Sequence, residues 1–122
     1  MKDHMNVLLI ILVGILFASL GQVFWKIGMN AIGSINTLTV SDTVSIFSNI
    51  YIFLGLVMYG LGTICWLIAL SQKDLSYVYP FISLTFIIVL FLSYFVLKEQ
   101  VSTARIVGTI VIILGLMIIV RN

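Results

Sequence analysis

Three polar side chains interrupt the first apolar stretch of this chain: Ser19, Gln22 and Lys26. Offsets of three and seven put them on one face of a helix. An amide at membrane depth needs a protein or water partner, so this face is expected to line the bundle interior or a cavity. A hydroxyl, an amide and an ammonium in line can bind a hydrogen-bonding group that carries negative charge. Lys26 has two readings. Its ammonium can snorkel to the interface, where the end of a helix favours a cation. Alternatively it anchors an anion at the mouth of an internal groove.

Arg105 stands three residues after Ser102, a natural helix N-cap, and so falls in the first turn of the last apolar segment. A helix start disfavours a cation by about 0.3–1 kcal/mol. Glu99, just upstream, can offset that by pairing with Arg105. A phosphate can do the same by using the guanidinium together with the free N–H groups of the helix start. Lys98 is close by on the same side. Tyr79 and Ser83, four residues apart, share a face of the third segment and are expected to line a polar groove. Tyr59, Thr63 and Trp66 share a face of the second, where packing with a hydrogen bond is the simpler account. The one His (His4), the one Cys (Cys65) and four acids outside the apolar runs form no ligand cluster. We therefore expect no metal, no cofactor and no enzymatic activity.

Hydrophobic residues make up 62% of the 122 residues and charged residues 8%, far from the composition of soluble domains. Four apolar segments, about 6–26, 50–70, 77–97 and 103–120, approach the ~17–25 residues a helix needs to cross the hydrocarbon core. The expected fold is an all-α, four-transmembrane-helix bundle forming a single domain, residues 1–122. The N-terminus has signal-peptide features, but its apolar run continues to Trp25 and ends in Lys26, so cleavage is not expected. In the long first link, Ser41-Asp42-Thr43 offers N-cap chemistry, and a short amphipathic surface helix running on into the second span is expected. Ser76 is expected to cap the third span, leaving Pro80 in its first turn. Ser102 is expected to cap the fourth.

The six basic residues split evenly between the two membrane faces: Lys2, Lys73 and Arg121 on one, Lys26, Lys98 and Arg105 on the other. The positive-inside rule then gives no preferred orientation. Insertion both ways up and a single topology fixed by a partner are both open. A net charge of +2 with no basic run excludes nucleic acid as an expected partner. Gly108 and Gly115, seven apart in the last span, allow close helix contact, as do Gly14, Ala18 and Gly21 in the first and Gly55, Gly60 and Gly62 in the second. Four helices enclose little space alone, so a dimer with a cavity between protomers is expected, Gly108 and Gly115 lying at its interface.

Several stretches together resemble the drug/metabolite transporter superfamily. They are Ser19-Leu20-Gly21-Gln22-Val23-Phe24-Trp25-Lys26, Tyr77-Val78-Tyr79-Pro80, and the run from Glu99 to Gly108. Within it the chain resembles the small EamA-like proteins, especially the aminoarabinose–phosphoundecaprenol flippase subunits. Gly108 to Gly115 is also similar to the last-span dimerisation stretch of the small multidrug resistance family. That family carries a membrane-embedded Glu in its first span, and when Gly21 and Lys26 are matched to it, Ala18 takes the Glu position. A proton-for-cation exchanger needs an ionisable group there. The resemblance to the flippase group implies a bacterial inner-membrane transporter of a phosphate-bearing, lipid-linked sugar, working as an antiparallel homodimer or a heterodimer with a sister four-span subunit. It implies functional roles for Gln22, Lys26, Tyr79, Pro80, Glu99 and Arg105, with Glu99 orienting Arg105; Ser19 and Ser83, taken from their helical spacing, complete the expected substrate-binding set. An exporter of small cations or metabolites and an accessory subunit of a membrane complex are the alternatives.

Overall fold

A computed structural model describes the backbone of residues 2–121 and the side chains of residues 6–121. Lys2 and His4, weighed above, therefore have side chains outside the described residues. The chain folds into α1 (Lys2–Ile32), α2 (Val40–Ser48), α3 (Ile50–Gln72), α4 (Leu75–Val78), a 3-10 turn (Tyr79–Ile82), α5 (Ser83–Phe95) and α6 (Thr103–Arg121). Four helical stretches are long and apolar enough to cross a membrane: Asn6–Ile32, Ile50–Gln72, Leu75–Phe95 and Thr103–Arg121. The protein is a multi-pass, all-α membrane protein.

The first helix outruns its expected end at residue 26. Nothing breaks it before Gly33, whose positive φ of 97° and N–H to Met29 O (2.8 Å) form a left-handed cap. Lys26 thus sits six residues inside α1, so the helix end does not account for its charge.

α1 and α3 form the tightest seam of the bundle, and glycines set its spacing. Gly21 faces Gly55 and Gly14 faces Gly62, two pairs seven residues apart on antiparallel helices. A Cβ at Gly21 would lie 2.7 Å from Gly55 O, and one at Gly62 would lie 2.7 Å from Gly14 O. Small residues let membrane helices approach until backbones touch, and here they do so within one protomer rather than between two. The Trp25 indole edge fills the remaining notch over Gly55, with its ring 5.0 Å from that of Tyr59.

α2 begins two residues earlier than a cap at Ser41 would place it. Thr39 is the N-cap, and the Asp42 side chain accepts from the Thr39 N–H while Asp42 N–H donates to Thr39 Oγ1. Its Val40, Val44 and Phe47 share a face that is exposed, as suits a helix lying in the membrane interface. It does not run on into the second span. Asn49 turns extended (φ −79°, ψ 126°) and its Oδ1 accepts from the Tyr51 and Ile52 N–H groups, starting α3 afresh.

The third span begins at Leu75 with Asp74, not Ser76, in the N-cap position. Pro80 is consequently well inside the span. Lacking an N–H, it cannot continue the α pattern, and the chain tightens into the 3-10 turn there. Ser102 caps α6 as expected, its Oγ accepting the Arg105 N–H at 3.2 Å.

A packed apolar cluster closes one end of the bundle: Val7, Ile11, Ile15, Ala69, Val78 and Phe81. α6 is loosely held along its length. Leu116 is the one buried residue of α6, whose contacts are with α5 and the 3-10 turn. A Cβ added at Gly108 or Gly115 meets no atom within 4 Å.

Candidate functional site

Gln22 is the hinge point of a groove between α1, α3 and α5. Toward the bundle centre it borders a cavity of about 310 Å³ with Ala18, Tyr59, Thr63, Trp66 and Thr85. Toward the open end it borders a second, of about 300 Å³, with Lys26, Ser93 and Glu99. Its amide has no hydrogen-bond partner among the described residues, so its donors and acceptor are free for a ligand. A third cavity, about 410 Å³ between α5 and α6, contains Ser93, Glu99 and Arg105. Glu99 and Ser93 border both outer cavities, which makes them their shared wall.

The turn after α5 places Glu99. Lys98 adopts a left-handed backbone (φ 56°), uncommon for a residue with a Cβ. The chain folds back over the helix end, and the Glu99 N–H donates to Ser93 O at 2.9 Å. The carboxylate then faces α1, with Oε2 3.8 Å from Lys26 Nζ. This corrects the expected pairing of Glu99 with Arg105. The Arg105 guanidinium instead makes one long bond, Nη1 to Gln100 O at 3.5 Å. Arg105 therefore keeps most of its donors unengaged, against the dipole of its own helix.

The structure brings Gln22, Lys26, Glu99 and Arg105 to one end of the bundle and leaves three other candidates apart from them. Ser19 is fully buried, and its hydroxyl donates to Ile15 O within its own helix (2.7 Å). Ser83 likewise donates to Pro80 O (2.7 Å). Tyr79 is 61% exposed and stands, with Ser83, near the closed end, a full span from Lys26. Gly108 borders the Arg105 cavity.

Thr85 and Ser93 escaped the sequence reading. Their signal is a spacing of eight, two successive steps of four, which aligns them with Val89 along the side of α5 that borders the groove. Ala18, at the position where the exporters carry Glu, lies in the wall of the central cavity. No carboxylate borders that cavity among the described residues.

An arrangement with two cations, one carboxylate and a free amide at the open end, above a neutral pocket with hydroxyl and aromatic groups, can hold an anionic headgroup attached to a hydrogen-bonding ring.

Comparison with known proteins gives a consistent picture. The chain is 31% identical over 70 residues to the probable 4-amino-4-deoxy-L-arabinose-phosphoundecaprenol flippase subunit ArnE of Pseudomonas aeruginosa, covering 57% of this chain and 61% of that protein. The match thus spans less than two thirds of that relative's length. It is 31% identical over 111 residues to the probable flippase subunit ArnF of Proteus mirabilis, covering 85% of this chain and 84% of that one. The ArnF of Shewanella sediminis is 30% identical over 124 residues, covering 92% and 86%. No solved structure matches. Residues 49–121, more than half of the chain, match the profile of the EamA-like transporter family. With the four spans and the polar groove in place, the chain belongs to the EamA-like transporter family.

Proposed function

We propose that this chain is a transporter subunit of the bacterial inner membrane that moves a phosphate-bearing, lipid-linked sugar of the undecaprenyl-phosphate type between leaflets. The observation that carries the reading is the convergence of Lys26 and Arg105 on cavities that share the Glu99 wall. Both cations have unengaged donors, and one faces its own helix dipole. A phosphate offers what both lack. Gln22, Thr85 and Ser93 would hydrogen-bond the sugar as it leaves the interface, with Trp66 and Tyr59 flanking the central pocket. The lipid tail would remain in the bilayer beside the groove. The relatives named as aminoarabinose-phosphoundecaprenol flippase subunits favour the same substrate class.

The second subunit would be another copy, inverted, or a sister four-span chain. Its docking surface would be the sparsely covered α6, where Gly108 and Gly115 leave space for a close helix approach. The cavities within one protomer end at the apolar cluster around Val78 and Phe81, so a continuous path would need the second subunit's groove.

Reconstitution tests the reading. Proteoliposomes containing this chain, alone and with a candidate sister subunit, are loaded with a labelled polyprenyl-phosphate sugar in one leaflet. Transfer to the other leaflet above the protein-free rate is expected in at least one combination. Transfer at the protein-free rate in both would contradict the proposal.

A further inference from the structure

We propose that Glu99 is a specificity-determining residue, whose carboxylate selects headgroups that carry an ammonium as well as a phosphate. The proposal rests on the phosphate-lipid reading above and deepens it by assigning the acid between the two cations.

Across the open end the charges alternate: Lys26 positive, Glu99 negative, Arg105 positive. Glu99 is the carboxylate that borders these cavities among the described residues. Asp42 belongs to the cap of α2, and Asp74 precedes α4 at the opposite end. Glu99 is not a passenger on a loose loop, because the left-handed turn at Lys98 and the bond to Ser93 O fix its backbone. Its oxygen stands 3.8 Å from Lys26 Nζ, longer than the ~2.7–2.9 Å of a direct charge-assisted hydrogen bond. The pair is close enough to compensate both charges and loose enough to admit a ligand.

A phosphate that draws Lys26 away leaves Glu99 as an uncompensated anion beside the incoming one. Two like charges at the edge of a low-dielectric membrane groove repel strongly. A headgroup bearing both phosphate and ammonium removes that conflict. Its phosphate takes Lys26 and Arg105, its ammonium takes Glu99, and every charge keeps an opposite neighbour. The site thereby disfavours phosphate lipids whose sugar carries only hydroxyl groups.

Binding to the full chain in nanodiscs tests this with two probes: a polyprenyl phosphate bearing an amino sugar, and its counterpart with hydroxyl in place of the amine. The wild type is expected to prefer the amino lipid by about tenfold or more, the scale of one charge-assisted hydrogen bond. Glu99→Gln is expected to bring the ratio close to one while still binding the hydroxyl lipid, which also reports that the variant is folded. Glu99→Asp, which keeps the charge and shortens its reach, is expected to retain a reduced preference. An unchanged ratio in Glu99→Gln, equal tightening of both lipids, or loss of both would overturn the assignment. Wild-type binding of both lipids without preference would remove the role of Glu99 and leave the phosphate-lipid reading standing. Binding of neither would remove both.

Discussion

Lys26 and Glu99 are 73 positions apart in the chain, and their charged atoms lie 3.8 Å from each other, tying the first span to the link between the third and fourth. The side chains are 51% and 37% exposed. An ion pair that open contributes little to stability, about 0–1 kcal/mol. Its interest is positional. It keeps a cation and an anion at the mouth of a groove that Gln22 continues toward the bundle centre.

The turn that places Glu99 makes the first prediction. Lysine at φ 56° carries a steric penalty of about 1–2 kcal/mol that glycine lacks. Lys98→Gly is therefore expected to hold or raise stability by up to about 1 kcal/mol and to leave phosphate-lipid binding intact. Lys98→Val, β-branched and strained at positive φ, is expected to destabilise the turn and weaken binding. Unfolding in mixed micelles and lipid titration measure the two effects. Equal behaviour of the two variants would mean that the left-handed turn does not position Glu99.

The glycine seam makes the second. Gly21→Ala puts a methyl carbon 2.7 Å from Gly55 O, a backbone atom that cannot rotate away. α1 and α3 must separate, at an expected loss of about 1–3 kcal/mol. Gly60→Ala, which meets nothing within 4 Å, serves as the comparison and is expected to be near neutral. Comparable losses in both would place the seam elsewhere.

Much of the architecture is legible in the residues themselves. The spans follow from long apolar runs, and Gln22 stands out because an amide at membrane depth demands a reason. That Lys26 and Arg105 share a membrane face follows from counting spans. The partner of Glu99 does not. It depends on a left-handed lysine, which nothing in the local composition signals, and so Arg105, nearer in sequence, looks the better partner. Ser19 shares the face of Gln22 by periodicity, but close packing buries it and its hydroxyl returns to Ile15 O. Thr85 and Ser93 are lone hydroxyls in an apolar run, and only a neighbouring helix reveals which face of α5 matters.

The basic residues make the third prediction. With Lys26, Lys98 and Arg105 on one face and Lys2, Lys73 and Arg121 on the other, insertion in both orientations is expected. Paired cytoplasmic and external reporters at the C-terminus measure it. Signal from one side alone, without a partner subunit, would remove the claim. Two or three lysines added next to Lys73 are expected to impose one orientation.

The most direct measurement is phosphate-lipid affinity in single-charge variants. Polyprenyl-phosphate sugar is titrated into the wild type, Lys26→Gln, Arg105→Gln and the double variant in nanodiscs, with Lys73→Gln at the opposite membrane face for comparison. Losing one charge-assisted hydrogen bond costs about 1.5–3 kcal/mol. Each site variant should then bind roughly ten- to a hundredfold more weakly, the double variant more weakly still, and Lys73→Gln like the wild type. Unchanged affinity in both single variants and the double variant would contradict a phosphate site at Lys26 and Arg105.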